Sequence, residues 1–182
     1  AIALTDWMSM AGIVRAHLAA SNSQIKSIVG CGLDLVCDLP FLQGQQDKIS
    51  ILAYPTDRAS YGRLCRLLTE AKQQKKNESV EVAIKISSLL EYQKDLVLIC
   101  LPPSQVNCCT SERFSSLERH RLICQTLLDN ATSPDYLALA ITKNYSNGEK
   151  RLLTNTVELA KQLNISLVVS NEIYYHIRQR QT

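Results

Sequence analysis

Apolar runs and amphipathic stretches alternate along this chain. The short run Ile2–Thr5 predicts a strand that ends in a carboxylate, Asp6. A helix is predicted over Ser9–Ala20, where Met10, Ile13, Val14 and Leu18 recur at helical spacing. A strand over Ser27–Val36 follows, then a loop rich in turn residues, Asp38 to Asp47, and a strand over Lys48–Tyr54. Pro55 leads into a helix capped by Thr56 or Asp57, with Tyr61, Leu64, Cys65 and Leu68 on its core face. Gln73 to Ser79 is polar and charged, and Val82–Glu91 reads as a further helix. Asp95–Leu101 is an apolar strand stopped by Pro102-Pro103. After the loop Ser104–Thr110 come a helix over Ser111–Asn130, a strand over Tyr136–Ile141, a helix over Lys150–Leu163 and a strand over Ser166–Val169. Asn164 is the expected helix stop. Apolar strands separated by helices predict a parallel sheet buried on both faces. Six such strands fit an open sheet or most of a barrel, and periodicity does not choose between them.

Composition narrows the class. The 182 residues suit one domain with a sizeable core, and 46% apolar with 20% charged residues fits a soluble globular protein. No apolar run approaches the ~20 residues of a membrane span, so no membrane partner is expected. The N-terminus lacks the basic and apolar regions of a signal peptide. Starting at Ala1 without Met, the chain reads as a segment. The seven cysteines (Cys31, Cys37, Cys65, Cys100, Cys108, Cys109 and Cys124) are scattered and form no CxxC. Most of them read as small buried hydrophobes in a reducing cytoplasm. A net charge of +3 does not by itself imply nucleic acid.

The candidate chemistry lies at predicted strand ends. Asp6, Asp34, Asp57, Asp95, Glu172 and His176 are the polar residues there, and a hard or borderline metal needs several such O and N ligands to converge. The plainer role for each is a helix cap or a solvated loop. Glu172 and His176 share one loop after the last strand, close enough to share a metal or a phosphate. His17 lies beside the apolar stripe of the first helix, and His120 reads as a solvated helix face. Arg58, Arg63 and Arg66 surround one helix, with Lys72, Lys75 and Lys76 beyond. Point charges of this kind meet a nucleic-acid backbone, and a solvated helix face explains them equally well. No serine sits in a nucleophile elbow and no Gly-rich phosphate loop is present.

Three stretches carry a family resemblance. The first is Leu4-Thr5-Asp6 with Ala11-Gly12-Ile13-Val14-Arg15-Ala16-His17 and Ile28-Val29-Gly30-Cys31. The second runs from Tyr54-Pro55-Thr56-Asp57-Arg58 through Tyr61-Gly62-Arg63-Leu64 to Leu68. The third is Leu167 to Arg180, with Ser170-Asn171-Glu172 and His176-Ile177-Arg178 at its centre. Together they resemble the N-terminal PHP (polymerase and histidinol phosphatase) domain of bacterial C-family DNA polymerases, and most closely the error-prone paralogue of damage-induced mutagenesis.

The resemblance implies an α/β fold, a distorted seven-stranded β/α barrel with a metal cluster at the strand carboxyl ends. Family members begin with one more strand, carrying a His-x-His ligand pair. This chain would then be an incomplete barrel lacking its first strand: a single PHP domain over 1–182, with the polymerase domains beyond. Asp6 matches a family ligand. Trp7 stands in place of a histidine, Gly32 in place of a glutamate, Glu172 in place of an aspartate and Tyr174 in place of a histidine, while His176 matches the error-prone branch. The implied metal residues are therefore Asp6, Glu172 and His176 in a degraded site. No cofactor is expected in such a segment, or a divalent Zn, Mn or Mg if the site survives. No catalytic residue is assigned. The implied function is a cytoplasmic scaffold within an error-prone DNA polymerase, with the polymerase core of the same chain, DNA and other mutagenesis proteins as partners. An active metal-dependent phosphoesterase or 3′-5′ exonuclease domain and a stand-alone interaction module are the alternatives.

Overall fold

The strand β1 (Ile2–Leu4) runs parallel to β2 (Ser27–Val29), and α1 (Ile13–Asn22) makes the connection. In this computed structural model the described residues are 1–40, 48–74, 82–102, 116–142 and 149–170. The remaining elements are β3 (Cys31–Val36), β4 (Lys48–Pro55), α2 (Arg58–Gln73), β5 (Ile84–Lys85), α3 (Ile86–Tyr92), β6 (Leu96–Cys100), α4 (Ser116–Asp129), β7 (Leu137–Ile141), α5 (Glu149–Leu163) and β8 (Ser166–Val169). A single 3-10 turn, Pro134–Tyr136, precedes β7. No helix among the described residues is long and apolar enough to cross a membrane.

Two sheets result. β1 and β2 form one, and the other has the order β5-β3-β4-β6-β7-β8. They are stitched by a parallel bridge between Trp7 and Gly32. That bridge keeps the spacing of the Ile2–Ser27 pair, so β2 and β3 are one long strand interrupted at Gly30. The expected strand Ser27–Val36 is thus present but broken. A side chain at Gly30 would run into the ring of Tyr54, 2.6 Å from its Cβ, and into Thr5, which explains the glycine at the break.

The expected all-parallel sheet is corrected at β4, which pairs antiparallel with both β3 and β6. β6, β7 and β8 are parallel, as are β3 and β5. A parallel partner for β3 directly after it in sequence needs a crossover, commonly a helix. The Asp38 to Asp47 stretch carries turn residues rather than a helical pattern. The expected helix Val82–Glu91 is also shortened: Ile84–Lys85 joins the sheet beside β3, and α3 begins only at Ile86.

The core lies where β3, β4 and β6 meet α2, α3, α4 and α5, with Leu33, Leu35, Ile51, Leu64, Leu89 and Leu127 fully buried. A second, smaller cluster is built from Leu52, Leu101 and Ala140, with Trp7, Tyr54 and Ile99 packed against it. Alternation along β4 sends Ile51 and Ala53 to the first cluster and Leu52 to the second, as the period of a strand requires.

Helix ends follow their sequence signals. Asp57 caps α2 with a reciprocal capping box: Ser60 N donates to Asp57 Oδ1 at 2.7 Å, and Asp57 N donates to Ser60 Oγ at 3.0 Å. Asn164 stops α5 in the left-handed region at φ 52°, while Ile165 N reaches back to Ala160 O. The core face of α2 is rotated from expectation. Ser60, Leu64, Leu67 and Leu68 are buried, whereas Tyr61 is exposed. The apolar stripe of α1 is corrected more strongly: Val14 is 68% and Leu18 59% exposed, and the helix buries only Ala20. α1 packs chiefly on the two-stranded sheet, whose own Ile2, Leu4 and Ile28 are exposed.

Candidate functional site

Asp6 and Trp7 sit on the turn that leaves β1, facing the junction between β2 and β3. Two backbone hydrogen bonds fix this turn: Gly32 N donates to Asp6 O at 3.0 Å, and Met8 N donates to Gly32 O at 2.8 Å. Met8 takes φ 51° to turn the chain toward α1. Between the two bonds the Trp7 indole lies against the Cα of Gly32. A Cβ at position 32 would stand 2.6 Å from Trp7 Cε3 and 2.8 Å from Cδ2. The ring therefore occupies the space that any side chain at 32 would need, and its apolar body continues into the Leu52–Leu101–Ala140 cluster.

The Asp6 carboxylate is turned the other way, toward α1. Its Oδ2 accepts from Gly12 N at 3.0 Å, at the residue that caps the helix. Four amide groups at a helix start lack intrahelical partners, and a carboxylate there gains both a hydrogen bond and a favourable dipole. A Cβ on Gly12 would collide with that same oxygen, so the glycine makes room for the contact.

The nearest sulfur is equally committed. Cys31 Sγ is buried and donates to Ser9 O at 3.3 Å and to Asp6 O at 3.4 Å. Burial pushes its pKa up to about 11, so in this arrangement it is a thiol at neutral pH. Asp34 lies within β3 opposite Ser50 rather than at a strand end, and its Oδ1 accepts from Ser50 Oγ at 2.9 Å.

The other candidates lie around the start of α2. Asp57 is its cap, and the amide and hydroxyl of Ser60 hold its carboxyl below the usual range. Asp95, at φ 57°, pairs with Arg63 at 3.2 Å, and its carbonyl accepts from Thr56 Oγ1 at 2.9 Å. Asp57 closes the first turn of α2, and Asp95 ties that region to the start of β6 through Arg63 and Thr56. His17 is exposed on α1. His120, expected on a solvated face, is instead buried, and burial lowers its pKa to about 4. Glu172, Tyr174 and His176 lie outside the described residues.

The metal implied by the resemblance does not fit the described donors. Trp7 and Gly32 offer no ligand atom, Asp6 serves a helix amide, and no group of three His, Cys, Asp or Glu side chains able to hold a metal occurs among the described residues. Sequence comparison had marked Trp7 and Gly32 as two separate departures, but it gave no sign that they touch.

The family model of the PHP domain matches residues 1–110, more than half of the chain. The chain belongs to the PHP domain family. This PHP domain is 30% identical over 180 residues to error-prone DNA polymerase 1 of Agrobacterium fabrum, covering 99% of this chain and 14% of that protein. It is 32% identical over 178 residues to error-prone DNA polymerase 2 of Rhizobium meliloti, again covering 14% of the relative. The chain thus spans a small part of the length of these relatives. Among solved structures, one described as a metal-dependent phosphoesterase from Bifidobacterium adolescentis superposes with a TM-score of 0.52 at 11% identity, covering 99% of this chain and 78% of that one. An amidohydrolase from Chromobacterium violaceum with bound sulfate and no metal gives 0.55 at 10% identity, covering 93% of this chain and 75% of that one. These likenesses establish the α/β fold of the PHP domain.

Proposed function

We propose that this PHP domain is a scaffold segment of an error-prone DNA polymerase, one whose metal centre has been replaced by packing. The parent would perform template-directed DNA synthesis in translesion repair in the cytoplasm, with DNA and other mutagenesis proteins as partners. The observation that carries the reading is the Trp7 ring seated on Gly32. Two positions that bear metal ligands in the family bear here an indole and the space for it. The Asp6 carboxylate, the one ligand position retained among the described residues, holds the start of α1.

The exposed apolar residues of β1, β2 and α1 support the scaffold role. Ile2, Val14, Leu18 and Ile28 lie open on neighbouring elements, and large exposed apolar patches mark protein contact surfaces. In this reading the rest of the polymerase covers them.

The test is made on the full-length protein. Metal analysis and primer-extension assays are combined with phosphoesterase and 3′-5′ exonuclease assays in the presence and absence of chelator. Primer extension is expected, with Asp6→Ala leaving the metal content of the protein unchanged. Stoichiometric Zn, Mn or Mg that is lost in Asp6→Ala together with a chelator-sensitive nuclease would overturn the scaffold reading in favour of an active phosphoesterase. Absence of primer extension would overturn the polymerase assignment.

A further inference from the structure

The helix α2 presents two unlike faces. Ser60, Leu64, Leu67 and Leu68 point into the core. On the opposite face, at 100° per residue, fall Arg58, Tyr61, Gly62, Arg66, Thr69 and Lys72, all exposed. Arg63, which the sequence groups with these cations, is removed from the face by its pairing with Asp95 at 3.2 Å. Arg58, Arg66 and Lys72 form no ion pair among the described residues. The single acid of the helix, Glu70, is half-buried and accepts from Tyr92 Oη at 2.6 Å. The outer face therefore carries three cations and no anion along about 21 Å of helix.

Gly62 lies at the middle of this face. Glycine within a helix costs about 1 kcal/mol relative to alanine, so an interior helical glycine calls for a reason. Packing among the described residues supplies none, because a Cβ at 62 would meet nothing of them within 4 Å. What the glycine provides is bare backbone between Arg58 and Arg66, one turn from each, where another chain can approach closely.

We propose that the outer face of α2 is a contact surface for the sugar-phosphate backbone of nucleic acid. Arg58, Arg66 and Lys72 neutralise phosphates, while the Thr69 hydroxyl is committed to Cys65 O at 2.8 Å and takes no part. Such contacts position a strand without reading its sequence. A protein partner is disfavoured because Tyr61, toward one edge, is the one large apolar side chain on a face that otherwise carries Arg58, Arg66 and Lys72, and the core of a protein interface is depleted of charge. A lipid surface is disfavoured for the same reason, since an interfacial helix needs an apolar face to bury. The proposal rests on the polymerase reading for its choice of DNA as the probe.

The test measures binding of the full-length protein to a labelled single-stranded oligonucleotide, and to its duplex, across a salt series. In Arg58→Gln/Arg66→Gln/Lys72→Gln the affinity should fall at least roughly tenfold, and the slope of log K against log salt should fall by about 2 on single strands or nearly 3 on duplex. Whichever probe loses the larger share of its slope is the one the face engages. Arg58→Lys/Arg66→Lys should retain the slope. Gly62→Leu, which adds a side chain without changing charge, should weaken binding and leave the slope unchanged; its melting temperature controls for folding. DNA binding with slope and affinity unaltered in the triple variant overturns the proposal while leaving the polymerase reading intact. Loss of binding to polyglutamate or anionic vesicles, with DNA binding retained, also overturns it. A full-length protein that neither binds DNA nor extends a primer overturns both.

Discussion

Trp7 and Gly32 are locked together. The indole lies where a Cβ on residue 32 would have to be, 2.6 Å from Trp7 Cε3, and the backbone bridge between the two residues prevents them from moving apart. Restoring a family-like acid at 32 therefore requires a change at 7 as well. Gly32→Ala in the parent chain should lower unfolding free energy by about 2 kcal/mol through overpacking. In a Trp7→Ala background the same substitution should cost much less, a coupling of about 1 kcal/mol or more in a double-mutant cycle. Urea denaturation of the four proteins measures it, and additive effects would mean that the ring yields freely.

Asp6 acts on a helix amide, and its variants separate that role from metal ligation. Asp6→Ala should destabilise by about 1 kcal/mol, as loss of a helix-start acceptor does. Asp6→Asn retains an acceptor oxygen toward Gly12 N and should recover most of that loss. Chelator should leave all three melting curves unchanged. A melting temperature that falls on chelation in the parent and not in Asp6→Ala would assign the carboxylate to a metal instead.

The fold was largely legible because strand and helix periods are local. Asn164 announced the end of α5, and Asp57 with Ser60 announced the start of α2. The antiparallel β4 was also legible, since the sequence from Asp38 to Asp47 carries turn residues and no helical pattern. The burial of His120 was there to be read as well: with Ile123, Cys124 and Leu127 it forms the spacing of a core face, and its charged neighbours Arg119 and Arg121 obscured it. The exposed stripe of α1 could not be read, because periodicity reports which face is apolar and not whether anything covers it. Nor could the Trp7–Gly32 contact, which depends on the register between two strands distant in sequence. The substitution pattern marked both residues as unusual, and only the pairing of β1 with the β2–β3 strand makes them one event.

Gln93 ends α3 with its side chain buried, and neither its Oε1 nor its Nε2 has a hydrogen-bond partner among the described residues. A buried amide without partners bears its desolvation cost uncompensated. Gln93→Met removes both polar atoms at similar volume and should raise the unfolding free energy by about 1 kcal/mol. Equilibrium denaturation reads this directly, and a destabilised variant would mean that the amide is satisfied in solution.

His120 makes the stability of the domain pH-dependent in a defined window. Burial lowers its pKa from 6.5 to about 4, so the folded state holds the imidazole neutral while the unfolded chain takes up a proton more readily. The contribution is complete above pH 6.5 and is lost progressively as pH falls toward 4. Below that both states are protonated and no further loss comes from this group. The shift corresponds to about 3 kcal/mol between the two limits. Carboxylates also titrate in this range, so the measurement is a difference. Unfolding free energies of the parent and of His120→Gln are compared from neutral to acid pH, and the carboxylate contributions cancel. The parent should lose about 3 kcal/mol relative to the variant across the window. A difference that stays constant with pH would place the imidazole in contact with water, contrary to its 4% exposure on the inner side of α4.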